Sequence, residues 1–151
     1  MRALWRRARR EESGSAVVEF IGVTLVLLLP LVYLILTLGR VQAAAFAAEA
    51  AARESGRVLS QAEDFPTAVA QAQTAVDLAF DDHGIDVDPA AALSFTCSDE
   101  PCLAPASRIH VEVSAVVRLP LVPEFLAGSL PLEVPVQATH LAVVPEFGGG
   151  S

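Results

Sequence analysis

The sequence predicts an α+β protein: a long N-terminal transmembrane helix with an Ala-rich helical extension, then a small head of one helix and about three antiparallel strands. Three observations predict it. Ala16–Leu38 is an almost uninterrupted apolar run with a single charge, Glu19. The next twenty residues are dominated by alanine and contain no proline. The last third of the chain then changes from helical spacing to period two.

The apolar run is long enough to cross a hydrocarbon core of about 30 Å at about 1.5 Å per residue. A cleaved secretory signal has a shorter apolar core and a small-residue exit site. Here Thr37-Leu38-Gly39-Arg40 leads instead into more helix-forming sequence. Pro30 lies inside the span and predicts either a bend or a tolerated interruption. Beyond Gly39, alanine is the strongest helix former and Glu49–Arg53 is a favourable i,i+4 pair. One helix from about Ser15 to Ser60 follows, roughly 65–70 Å long at 1.5 Å per residue. Its small residues favour close packing against other helices, the alternative being a spacer.

Pro66 suits the first turn of a second helix, and the spacing of Ala68, Val69, Ala72, Val76, Leu78, Ala79 and Phe80 carries that helix to about Asp82, with Gly84 ending it. The acidic stretch Asp81–Asp88 does not fit a calcium loop. With Gly84 at position six, Ala79 falls at one, so the register fails and a solvated turn is expected. Strand alternation then appears at Leu93, Phe95 and Cys97, at Ile109, Val111, Val113, Ala115 and Val117, and at Val134, Val136, Ala138, Ala142 and Val144. His140 interrupts the last of these faces. Pro120, Pro123, Pro131 and Pro135 are expected at or near strand ends, and Gly128-Ser129 at the turn joining the last two strands. Val-Pro-Glu-Phe occurs at 122–125 and again at 144–147, too few copies for a repeat architecture.

This reading divides the chain into a basic leader 1–14, a transmembrane helix 15–39, an Ala-rich extension 40–62, an α+β head 63–147 and a flexible tail 148–151. Arg2, Arg6, Arg7, Arg9 and Arg10 precede the span and Arg40 alone follows it closely, so the N-terminus is expected in the cytoplasm and the C-terminus outside it. The first twelve residues are formally +3 in a chain of −8. The remainder, at −11, excludes an electrostatic nucleic-acid surface. Cys97 and Cys102 are too far apart for a thioredoxin-type pair, and no further cysteines complete a zinc set. An oxidising compartment favours a small disulfide loop, with two free thiols as the alternative.

Chemistry is sparse. His83, His110 and His140 have no ligand spacing; His110 and His140 either face each other on adjacent strands or, more simply, fill polar strand positions. Neither a nucleophile elbow nor a phosphate-cradling glycine loop occurs. No catalytic residues, metal or cofactor are expected, and the chain reads as a non-enzyme.

The informative motif is Gly14-Ser15-Ala16-Val17-Val18-Glu19-Phe20. A carboxylate at the mouth of an apolar span is costly unless something offsets it: roughly 2.5–3.5 kcal/mol at a helix centre, less near the ends. A basic leader ending in glycine, with Glu-Phe starting at the fifth residue beyond it, resembles the TadE/TadG-like minor pilins, or pseudopilins, of the Tad (Flp) pilus machinery. The resemblance is strongest over Arg9–Ala52. It implies processing between Gly14 and Ser15 by a prepilin peptidase. It also implies assembly through Glu19 and Phe20, with Glu19 neutralising the new Ser15 amine of a neighbouring subunit or of its own chain. The implied partners are that peptidase, other pilins or pseudopilins, the Tad inner-membrane platform and the lipid bilayer. An uncleaved bitopic scaffold of a secretion or envelope complex is the alternative.

Overall fold

The computed structural model describes residues 2–119 and 133–146. The chain divides into two units, Met1–Leu38 and Gly39–Ser151. Helix α1 (Arg2–Ser60) supplies the first unit and opens the second. Its end agrees with the sequence reading, but its start lies earlier than Ser15. The leader is built of Arg, Ala, Leu and Glu, all strong helix formers, and takes helical backbone as well. The helix runs through Pro30 without a break in assignment, so this proline does not terminate it. Between Val17 and Leu38 the large aliphatic side chains and Phe20 stand exposed, from 44% at Val32 to 71% at Phe20, Val18 and Val26.

The second unit adds α2 (Phe65–Asp81), α3 (Pro89–Ala92), and strands β1 (Leu93–Cys97), β2 (Arg108–Arg118) and β3 (Glu133–Val143). The strands form one antiparallel sheet in the order β1-β2-β3. The period-two reading holds on β2, where Ile109, Val111, Val113, Ala115 and Val117 are buried and His110, Ser114 and Val116 are exposed. The Ala-rich stripe does pack, but its partner is the chain's own head. Ala44, Ala47, Ala48, Ala51, Ala52, Ser55 and Leu59 are buried in one core with Ala68, Ala72, Val76 and Phe80 of α2 and the inner sheet face. Small side chains permit this close approach. Buried Ser55 donates its hydroxyl to the Ala72 carbonyl at 3.3 Å, which satisfies a polar group that would otherwise be costly there.

Asp64 caps α2: its carboxylate accepts the Thr67 backbone N–H at 3.0 Å and also the Thr67 hydroxyl. At the other end Gly84 takes φ +62° and the Ile85 N–H reaches back to the Phe80 carbonyl at 3.0 Å, a Schellman-type closure that needs a left-handed residue. Arg40 donates to the Gly84 carbonyl at 2.8 Å, placing a cation at this C-terminal turn. The acidic stretch contains a second cap as well, Asp88, which accepts the Ala90 N–H at 3.0 Å and starts α3.

The Thr67 hydroxyl, then its N–H, hold the Asp64 carboxyl below its ordinary value of 3.8 because they favour the charged form. A carboxyl lowered in the folded state adds stability above its unfolded pKa and loses it as pH falls through the folded value. Thermal unfolding of wild type should therefore weaken below about pH 4, as expected for a capping carboxylate. Asp64→Asn keeps a cap acceptor and should flatten that part of the profile. An unchanged acid slope would remove Asp64 from this role.

Two expectations are corrected. His110 and His140 do not face each other: His110 pairs with Leu141, and His140 with Val111, so the two imidazoles lie on opposite faces. Leu78, spaced with the apolar residues of α2, is 58% exposed rather than part of its buried face. Pro135, the third residue of β3 and opposite Val116, lies near the strand's start as expected. Among the described residues β3 is an edge strand, where a missing N–H does least harm. The Gly128-Ser129 turn, Pro120, Pro123, Pro131, the first Val-Pro-Glu-Phe copy, Phe147 of the second and the 148–151 tail lie outside the described residues.

His140 breaks the apolar face of β3 without breaking the core because Gly56 of α1 lies over it. A Cβ at residue 56 would stand 2.7 Å from His140 Cδ2 and 3.3 Å from Ala142 Cβ. Gly56→Ala should therefore destabilise the head, the overpacking cost of about 1–3 kcal/mol exceeding the gain of about 1 kcal/mol in helix propensity. In a His140→Ala background the same change should stabilise. Denaturant unfolding of the four variants checks this reversal of sign, and equal effects in both backgrounds would refute the contact.

Candidate functional site

The candidate site is the start of the apolar helix. Gly14 and Ser15 are described by their backbone, which is helical. Ser13, Gly14 and Ser15 are weaker helix formers than the leader before them, and glycine is the weakest, by about 1 kcal/mol relative to alanine. The segment is thus the easiest place in this part of α1 to unwind. Glu19 and Phe20 lie in the first turns of the apolar run with exposed side chains, Phe20 at 71%. Ser15 and Glu19 are separated by one helical turn and so share a face of α1.

Glu19 has no basic residue of its own chain within helical reach, the nearest in sequence being Arg10 and Arg40. The ion pairs among the described residues lie elsewhere, Glu49–Arg53 at 2.8 Å, Glu54–Arg57 at 2.5 Å and Arg118–Glu133 at 3.5 Å. The first is the i,i+4 pair read from sequence. In the second, the Arg57 hydrogen bonds hold the Glu54 carboxyl below its ordinary value. All three are exposed, so each contributes little to stability.

A carboxylate in an apolar helix, with no cation within helical reach on its own chain, is costly in hydrocarbon unless a counter-charge meets it. Along the apolar run of this helix no described residue is fully buried. By length and composition this helix can cross a membrane. Its exposed surface fits lipid or the apolar helices of partners.

Cys97 and Cys102 are joined by a disulfide that closes a short loop after β1, with Cα atoms 5.4 Å apart. Beside it Phe95 meets Phe65 edge to face, ring centroids 5.4 Å apart. Among the described residues no group of three or more His, Cys, Asp or Glu side chains converges as a metal site. Sequence reasoning used Arg40 only as a topology signal and missed its place in a cleft of the head, whose lining it shares with Arg118 from a strand 78 positions away. No local pattern connects the two.

Residues 14–57 match the family model described as TadE-like protein. The matched segment contains Gly14, Glu19, the whole apolar run and most of the packing stripe, and stops before α2. No curated protein and no solved structure matches the chain. The N-terminal helix of this protein, over residues 14–57, is thus TadE-like.

Proposed function

We propose that the protein is a single-pass, membrane-anchored minor pilin or pseudopilin of a Tad (Flp) pilus system, with a structural rather than catalytic role. The observation that carries this reading is the TadE-like match over a helix whose apolar side chains stand exposed and whose only charge within the run is Glu19. The arginine-rich leader favours a cytoplasmic N-terminus and an extracytoplasmic head.

In this reading a prepilin peptidase cuts between Gly14 and Ser15. Glycine leaves the backbone open to close approach, and the weak helix formers around it lower the cost of unwinding. Cutting makes the Ser15 amine a cation at the mouth of the span. Glu19 then neutralises that amine, on its own chain or on a neighbour, which offsets the cost of holding a carboxylate in hydrocarbon. The exposed face of α1 packs against other pilins or the Tad inner-membrane platform. The head has its own core and disulfide, so α1 enters the assembly with its outer half already occupied by α2 and the sheet.

One observation favours a second reading. Helical backbone runs without interruption from Arg2 through Gly14 and Ser15, as suits an uncleaved bitopic scaffold that keeps its leader. Gly14→Val separates the two. Under the pilin reading, the valine side chain blocks the cut and the variant accumulates at full-length mass while wild type is shortened. A variant with the same mass as wild type would remove Gly14 as the processing residue.

A further inference from the structure

The head carries a cleft of about 550 Å³ whose lining includes Arg40, Ile85, Asp86, Val116, Arg118 and Glu133. Chain connectivity bears on one lining residue. Arg40 is two residues beyond Leu38, the last residue of the apolar run, so a helical rise of about 1.5 Å per residue keeps it at the membrane surface. This placement rests on the membrane-span reading. The cleft combines two guanidinium groups with two carboxylates and an apolar wall that includes Val116, 54% exposed. Arg40 gives the Gly84 carbonyl one bond of the five a guanidinium can donate, and Arg118 meets Glu133 at 3.5 Å with its side chain 88% exposed. Of the five arginines in this strongly acidic part of the chain, Arg53 and Arg57 are held by carboxylates one turn away, whereas Arg40 and Arg118 both line this cleft.

We propose that the cleft seats the phosphoethanolamine headgroup of a zwitterionic lipid. Arg40 and Arg118 take the phosphate, for which guanidinium geometry is well matched. Asp86 and Glu133 accept hydrogen bonds from the ammonium, and Val116 and Ile85 lie against the glycerol and upper acyl chain. The balance of charge selects the headgroup. An anionic phosphoglycerol lipid would leave the two carboxylates facing like charge or an uncharged alcohol. A choline headgroup has no N–H to donate to them.

The test uses the full-length protein in bilayer nanodiscs of equimolar phosphatidylethanolamine, phosphatidylcholine and phosphatidylglycerol, with retained lipids identified by native mass spectrometry. Phosphatidylethanolamine should be retained above the other two. Arg118→Gln, at an exposed position, should reduce that retention about tenfold, the loss of one charge-assisted contact. Asp86→Asn should shift the preference toward phosphatidylglycerol by making the cleft net positive. Equal retention of all three lipids, a phosphatidylglycerol preference in wild type, or a preference unchanged by both substitutions would overturn the proposal. Protein that stays outside the bilayer would instead overturn the span reading on which the site depends.

Discussion

Phe80→Ala is expected to lower the unfolding free energy of the head by about 3–5 kcal/mol. Phe80 is fully buried in the last turn of α2, in the core shared by α1 and the inner face of the sheet. Removing its ring deletes a large apolar surface and leaves a cavity that the surrounding alanines cannot fill. Many positions of that core are alanines, among them Ala47, Ala48, Ala51 and Ala72, with no rotamers to swing inward. A domain of ordinary stability has about 5–15 kcal/mol to lose, so this one change threatens the fold of the head. Leu78, two residues earlier and 58% exposed, is the control. Leu78→Ala should stay within about 0.5 kcal/mol of wild type, as surface substitutions do. Chemical unfolding followed by far-UV circular dichroism compares the two, and similar losses would contradict the assignment of Phe80 to the core.

Glu19→Ala is expected to separate insertion from assembly. Insertion should be unchanged or easier, since a carboxylate is removed from an apolar run. Assembly should fail, because the Ser15 amine would then be desolvated without a counter-charge. Removing one partner of a buried ion pair costs about 3–5 kcal/mol, more than a hundredfold in an association constant. Glu19→Gln keeps a hydrogen-bond acceptor but not the charge and should fail nearly as badly. The measurement is the amount of each variant recovered in the assembled fraction relative to the membrane fraction. Wild-type recovery of Glu19→Ala in assemblies would exclude charge pairing as the role of this residue.

Elements with a strong local period were legible in the chain. The alanine-rich extension, the helix with Pro66 in its first turn and the alternation on β2 each state their buried face directly, and the apolar run states its length. What was not legible depends on the meeting of distant segments. The alanine stripe announced a packing surface, yet only the folded chain shows that its own α2 and sheet cover it. His140 looked like a defect in β3 because its complement is the absence of a side chain at Gly56, 84 positions earlier. Helix α3 was missed despite a readable signal, Asp88-Pro89, a capping residue followed by proline at the first helical position. The acidic residues around it had been read as a solvated turn. Ala106 holds φ +63° with no glycine or asparagine to mark it, since bonds between 106–107 and Val144 impose the loop's path. The candidate site was legible because a lone carboxylate in an apolar run is costly at the level of sequence. The lipid cleft was not, because its four charged residues come from four separate segments.

The central claim is that α1 enters the assembled state as a processed helix whose first residue is Ser15. The most direct measurement is the intact mass and N-terminal sequence of the native protein extracted from its own membrane. The account predicts a chain that begins at Ser15 and lacks the mass of residues 1–14. A native chain that retains Met1–Gly14 would contradict it, leaving an uncleaved membrane scaffold in which Glu19 must find its counter-charge on another protein.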